Sequence, residues 1–287
     1  MDLNKAIEIY CENIEEFSRR KTISTSQRTG AVNGLLAALL DEGRERGAKE
    51  VYLALGSRLP ASTAEDRARL CMALVASPYH SAELKRNSFF SDGIVAGSHG
   101  KVSLVRNSYN ELAFSRMSAI VTRPKEIFVS SFISACEDVY DSRSEFCILP
   151  IENSQSGRLF NFYSMLDRYE LKICSVCELE GEGNAEGSVK YALVGRSMPD
   201  RIPKNCPWSF EFSLISDDGK VLYDILQVAE VFEATLLKID SLPVEYDGGL
   251  QKYYFTFGLP EVNISAFNLF LTEEYARYTA VGSYPTV

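Results

Sequence analysis

Hydrophobic positions change their period twice along the chain. Up to about residue 90 they recur at helical spacing: Ile7, Tyr10, Ile14 and Phe17 first, then an Ala/Leu-rich stretch from Gly30 to Leu40. Ser62-Thr63-Ala64-Glu65 is a helix start, and Leu70, Met72, Leu74 and Val75 follow it. These positions predict a helical segment over residues 1–90. The charged run from Asp41 to Gly47, with Glu45 and Arg46, reads as a solvated face.

From Asp92 to about Gly195 short apolar runs alternate with helical spacing, the order of an α/β unit. Ile127–Tyr140 reads as a helix and Cys147–Ile151 as a buried strand. A helix is expected over Asn161–Tyr169, with Phe162, Met165 and Leu166 inward. Pro199, Pro203 and Pro207 then deny regular structure and mark a boundary. Beyond it come strands at Trp208–Ile215, Ala234–Leu242, Leu250–Phe257 and Arg277–Gly282, with helices at Lys220–Phe232 and Ile264–Leu271. That βαββαβ order is the split pattern of a ferredoxin-like module.

Composition narrows the partners. The chain has 287 residues, 46% of them apolar and 24% charged, and its net charge is −9. It lacks the basic face that nucleic acid or an anionic membrane requires. It holds no apolar run long enough to span a bilayer, and Asp2 and Glu8 rule out a signal-peptide n-region, so a cytoplasmic location is expected. Seven scattered cysteines fit reduced thiols better than a disulfide framework. Cys174-x-x-Cys177 is met by only two histidines, His80 and His99, so no metal and no cofactor is expected.

The densest candidate chemistry lies at Cys147-Ile148-Leu149-Pro150-Ile151-Glu152-Asn153-Ser154-Gln155-Ser156-Gly157. An apolar strand ends there in a Glu-Asn-Ser cluster and a glycine, where open α/β sheets bind ligands. Glu152 is the candidate acid or hydrogen-bond acceptor. Asn153, Ser154, Ser156 and Gly157 are candidate substrate contacts. His99, in Gly97-Ser98-His99-Gly100, is a further candidate as an acid–base group near neutral pH.

The Pro-Ile-Glu-Asn-Ser-x-x-Gly run resembles that of the prephenate dehydratases. Ile94 to Ser103 is similar to their opening strand and Gly-x-x-Gly-x-x-Ser turn, and Leu171 to Leu179 to the strand that crosses between their lobes. Val281-Gly282-Ser283-Tyr284-Pro285 resembles the close of their regulatory ACT domain. The resemblance implies both α/β and α+β parts. A helical segment over 1–90 would precede a periplasmic-binding-protein-like α/β domain over 91–197 and a ferredoxin-like ACT domain over 207–287. It also implies conversion of prephenate to phenylpyruvate, water and carbon dioxide, L-phenylalanine as effector, and a homodimer.

Several positions depart from that pattern. Where the family has Thr-Arg-Phe the chain has Val189-Lys190-Tyr191, which lacks the hydroxyl and leaves Lys190 as a one-pronged carboxylate anchor. Only residues 179–189 stand where the family places its second lobe, too few to bury a core, so the α/β domain is expected to be truncated. At the effector positions Gly219 comes one place early, Val221 and Leu222 follow a lysine, and Asp240-Ser241-Leu242-Pro243 replaces Glu-Ser-Arg-Pro. Two readings result. One is a catalytically degenerate relative that binds an aromatic acid, an aromatic amino acid or a partner protein. The other is an active dehydratase rebuilt on Glu152 and Lys190, with phenylalanine feedback.

Overall fold

The computed structural model describes residues 43–56, 64–81, 99–154, 157–180, 187–202, 206–217, 220–244 and 249–287, with scattered positions elsewhere, such as Leu36, Leu39, Leu40 and Leu84. The spacing at Ile7, Tyr10, Ile14 and Phe17 lies outside the described residues, as do Ser156 and Gly219. The N-terminal helices include α1 (Ala48–Gly56) and α2 (Ala64–Ala76). A parallel β-unit follows: β1 (Lys101–Val105), α3 (Ser108–Met117), β2 (Lys125–Val129), α4 (Phe132–Tyr140) and β3 (Phe146–Asn153). Side chains start both helices, since Asn107 accepts the amide of Asn110 and Ser131 that of Ser134.

The helix expected over Ile127–Tyr140 is therefore corrected. Its first residues belong to β2, and helix begins only after the Ser131 cap. β3 turns through β4 (Gly157–Arg158) into α5 (Phe160–Tyr169), and β5 (Lys172–Glu180) pairs with β6 (Ser188–Gly195) as an antiparallel hairpin. The C-terminal module comprises β7 (Trp208–Ser216), α6 (Lys220–Ala229), β8 (Thr235–Pro243), β9 (Gln251–Gly258), α7 (Glu261–Glu274) and β10 (Tyr278–Pro285). Its strand order, β10-β7-β9-β8, is that of a ferredoxin-like fold.

The ten strands of the described residues form one sheet, in the order β2-β1-β3-β6-β5-β10-β7-β9-β8 with β4 on β3. The two halves join where β10 lies parallel to β5, with Gly282 opposite Ile173. A Cβ on Gly282 would stand 2.5 Å from the Ile173 carbonyl oxygen. Only glycine lets the strands approach so closely.

The sheet coils around α5. Phe162, Tyr163, Leu166 and Tyr169 of α5 share one core with Leu149 and Ile151 of β3, Ile173 and Val176 of β5, Tyr254 of β9 and Tyr284 of β10. In a flat sheet β3 and β9 would lie about 24 Å apart, five strand spacings, so strong right-handed coiling must bring both onto one helix.

A second core, on the other face of the C-terminal strands, combines Leu36, Leu40, Val51, Tyr52, Leu70 and Leu74 with Phe210, Phe212, Phe255, Phe267 and Phe270. The N-terminal helices thus form an outer layer on α6 and α7. Tyr52 donates to Glu274 Oε1 at 2.6 Å and Arg67 pairs with Glu274 Oε2 at 2.7 Å across that contact. Among the described residues, these helices pack on the C-terminal half rather than beside β3. No helix among the described residues is long and apolar enough to cross a membrane.

Candidate functional site

The end of β3 brings together most of the candidate site. Glu152 lies directly opposite Lys190 of β6, and Lys190 opposite Glu178 of β5, so the three form a cross-strand row on the face that carries α5. A β-bulge between Pro150 and Glu152 sets this register. Asn153 pairs with Val189, and Gly157, at a φ of +74°, makes the turn back into β4. Ser154 serves the hairpin itself: its Oγ accepts the Ser188 amide at 2.9 Å, and its own amide donates to the Ser188 carbonyl. Ser188 in turn donates through Oγ to the Glu178 carboxylate.

Val189 and Tyr191 point the other way. Both pack into a third core with Val102, Leu104, Met117, Phe146 and Ile148 under α3. Burial pushes the Tyr191 hydroxyl up to about 12, with Tyr109 and Cys177 adding to the effect. The same core holds Cys174 and Cys177, both buried on β5. Burial pushes Cys177 up to about 11 and Cys174 higher still, so both stay protonated and unreactive at neutral pH.

A cation from the far edge of the sheet reaches this site. Lys238 of β8 places Nζ 3.1 Å from Glu152 Oε1 and 3.7 Å from Asp240 Oδ2. Both members of the Glu152–Lys238 pair are largely buried, their side chains 22% and 29% exposed. Six strand spacings, about 29 Å if flat, separate β3 from β8. The pair therefore latches a coiled sheet whose edges no backbone ladder closes among the described residues. Lys238 sits in no motif, and its role depends on that coiling.

At the carboxyl ends of β2 and β3 lies a cavity of about 550 Å³, whose lining residue Pro150 precedes Glu152 by two positions on β3. Ser131, Phe132 and Ile133 open it from α4, Pro150 floors it from β3, and Leu159, Asn161, Phe162 and Met165 wall it from the start of α5. The volume suits a small organic ligand. Its walls are chiefly aromatic and aliphatic carbon, with the Ser131 hydroxyl and the Asn161 amide as polar exceptions.

Other proposed site residues fall elsewhere. His99 sits at the amino end of β1, with Nδ1 3.2 Å from Glu145 Oε2 and Nε2 3.7 Å from Asp200 Oδ2. Glu145 also accepts the Gly100 amide at 2.6 Å, so His99 braces the strand start at the opposite end of the sheet from Glu152. Val221 is buried in the core under α6 and Leu222 packs against it. Asp240 shares the α5-facing side with Tyr254, whereas Ser241, exposed, alternates to the other face.

No protein-family model matches the sequence, and no curated protein matches it. Among solved structures the chain is similar to a prephenate dehydratase from Streptococcus mutans, with a TM-score of 0.54, 15% identity and coverage of 65% of this chain and 98% of that one. The fold is prephenate dehydratase-like. A quorum-quenching acylase follows at a TM-score of 0.49 and 16% identity, over 65% of this chain and 95% of that one. A prephenate dehydratase from Arthrobacter aurescens in complex with L-Phe gives 0.49 and 13%, over 64% and 90%. At these identities the likeness extends to the fold alone. The prephenate dehydratase-like α/β part supplies the cavity and the Glu152–Lys190 row, and the ferredoxin-like part supplies Lys238.

Proposed function

We propose that this chain is a prephenate dehydratase-like protein that binds a small aromatic acid or amino acid without converting it. The observation that carries the reading is the apolar cavity at the carboxyl ends of β2 and β3, large enough for an aromatic ring and its side chain. The arrangement around it favours binding over chemistry. Glu152 is held by Lys238, Ser154 Oγ by the hairpin amide, and position 189 offers a methyl-bearing side chain turned into the α3 core. A proton donor for a leaving hydroxyl needs a free acid within hydrogen-bond reach.

In this reading residues 1–90 form a helical layer, 91–197 a dehydratase-like domain without its second lobe, and 207–287 an ACT-like unit, all acting in the cytoplasm. The ACT-like unit pairs with a second copy through β8, an open sheet edge. Along it Leu237 is 60% exposed, with Ile239 beside it and Tyr223 and Leu226 exposed on the adjoining α6.

Titration of the full chain with phenylpyruvate and with L-phenylalanine, beside an assay of phenylpyruvate release from prephenate, tests the reading. Saturable binding without turnover is expected. Turnover at an ordinary enzymatic rate would restore the active-dehydratase reading, and absence of binding to either compound would remove the ligand assignment.

A further inference from the structure

The cavity fits a ring but offers little to an acid group. Ser131 already accepts the Ser134 amide at 3.1 Å as the α4 cap, and Asn161 is neutral. A carboxylate taken out of water needs a cation or several donors. The nearest ion pair along β3 is that of Glu152, two residues beyond the cavity wall at Pro150, or about 7 Å of strand.

Resting on the binding reading above, we propose that Lys238 of the C-terminal module is the carboxylate-binding cation of this cleft, and that Glu152 holds the place of the ligand's acid group. The ligand is then an aromatic carboxylate whose ring and acid are separated by a short carbon chain. The ring would lie against Pro150, Phe162 and Met165, and the carboxylate would exchange with Glu152 at Lys238. The exchange needs a cation for each carboxylate: Lys238 is 3.1 Å from Glu152 and Lys190 lies opposite Glu152 in the ladder, so a ligand acid can take Lys238 while Glu152 turns to Lys190, against the added negative charge of Asp240 and Glu178 nearby. Lys190 across the ladder is placed to take Glu152 when it moves. The ferredoxin-like half thereby supplies the second wall of the cleft, a part the sequence leaves unassigned.

Binding of 3-phenylpropionate and of its uncharged isostere 3-phenylpropionamide to the full chain, measured calorimetrically, tests this. The wild type should prefer the acid. Lys238→Met should weaken acid binding about tenfold or more and leave the amide unchanged, whereas Lys238→Arg should keep acid binding. Glu152→Gln should tighten acid binding severalfold, because it frees Lys238. A purely structural brace gives a different pattern: Glu152→Gln and Lys238→Met would then alter stability together and leave the preference for acid over amide unmoved, which overturns the proposal. Equal binding of acid and amide by the wild type also overturns it while sparing the cavity reading. Failure of both probes to bind overturns the two together.

Discussion

Tyr163 of α5 stacks on Tyr254 of β9 with ring centroids 3.6 Å apart and planes inclined by 15°. The Tyr163 hydroxyl continues past the stack to donate to Glu211 Oε1 at 2.5 Å, and Tyr284 donates to the other carboxylate oxygen at 2.7 Å. Glu211 is fully buried, so these hydroxyls stand in for water around its carboxylate. One helix of the α/β half is thus tied to two strands of the C-terminal half, to β9 by the stack and to β7 by the hydrogen bond, while β10 closes on the same carboxylate. Tyr163→Phe should cost about 1–2 kcal/mol, and Tyr163→Ala, which also removes the ring, about 3–5 kcal/mol. Urea unfolding monitored by circular dichroism measures both; equal losses would mean that the stack contributes nothing beyond the hydroxyl.

Gly282 and Gly258 make a matched pair. A methyl group at Gly282 would meet the Ile173 backbone at 2.5 Å, whereas at Gly258 its nearest neighbour is the flexible tip of Leu237 at 3.4 Å. Gly282→Ala should destabilise by about 3 kcal/mol and Gly258→Ala by less than about 0.5 kcal/mol. Thermal melting of the two variants decides it, and similar melting temperatures would show that the β5–β10 join can move apart.

Glu274 anchors the N-terminal layer to α7. Glu274→Ala leaves the Arg67 guanidinium and the Tyr52 hydroxyl without this carboxylate, at a cost of about 1–3 kcal/mol. Limited proteolysis should then cut α1 and α2 before the sheet. Protection unchanged from wild type would place the anchoring in the apolar contacts alone.

Alkaline pH should weaken the fold through Tyr191. Burial raises its folded pKa to about 12, above the value of about 10 in an unfolded chain. A raised tyrosine favours the folded state fully below pH of about 10, and that contribution is lost as pH climbs towards 12, because the unfolded chain releases its proton first. Unfolding midpoints should fall between about pH 9 and pH 11, less steeply in Tyr191→Phe. An identical slope in the variant would assign the effect to other tyrosines, such as Tyr275.

The exposed β8 edge predicts self-association. Leu237→Lys should convert a dimer into a monomer in sedimentation equilibrium, since a lysine on an open edge opposes strand pairing. A wild-type chain that is monomeric at tens of micromolar would remove the β8 interface.

The elements were legible in the sequence wherever period and punctuation agree. Asn161–Tyr169 and the six elements after Pro207 stand close to their expected places, because turn residues bound each apolar run. At Ile127–Tyr140 two apolar runs abut with only Ser130-Ser131 between them, and the Ser131 cap was the signal that separates strand from helix. Ile264–Leu271 marks only the buried middle of α7, whose polar ends extend it to Glu261 and Glu274. Of the site, Glu152 and Lys190 meet because a hairpin sets their register. Lys238 was illegible: neither its neighbours nor its spacing encode the coiling of a sheet over six strands. His99 stands apart from Glu152 because its motif precedes β1, whose amino end is the end of the sheet opposite Glu152.

The phenylalanine-rich core has a consequence for how the protein is made. Among the described residues, its apolar contributors come from the first third of the chain and from the last third, with none from between. At about 5–20 residues per second, a ribosome needs on the order of ten seconds to pass from Leu84 to Phe210. During that interval Leu70, Cys71 and Leu74 are already made, while the phenylalanines that will cover them are not. This layer must therefore form after its partners emerge, and in the meantime it is a natural client for a holding chaperone.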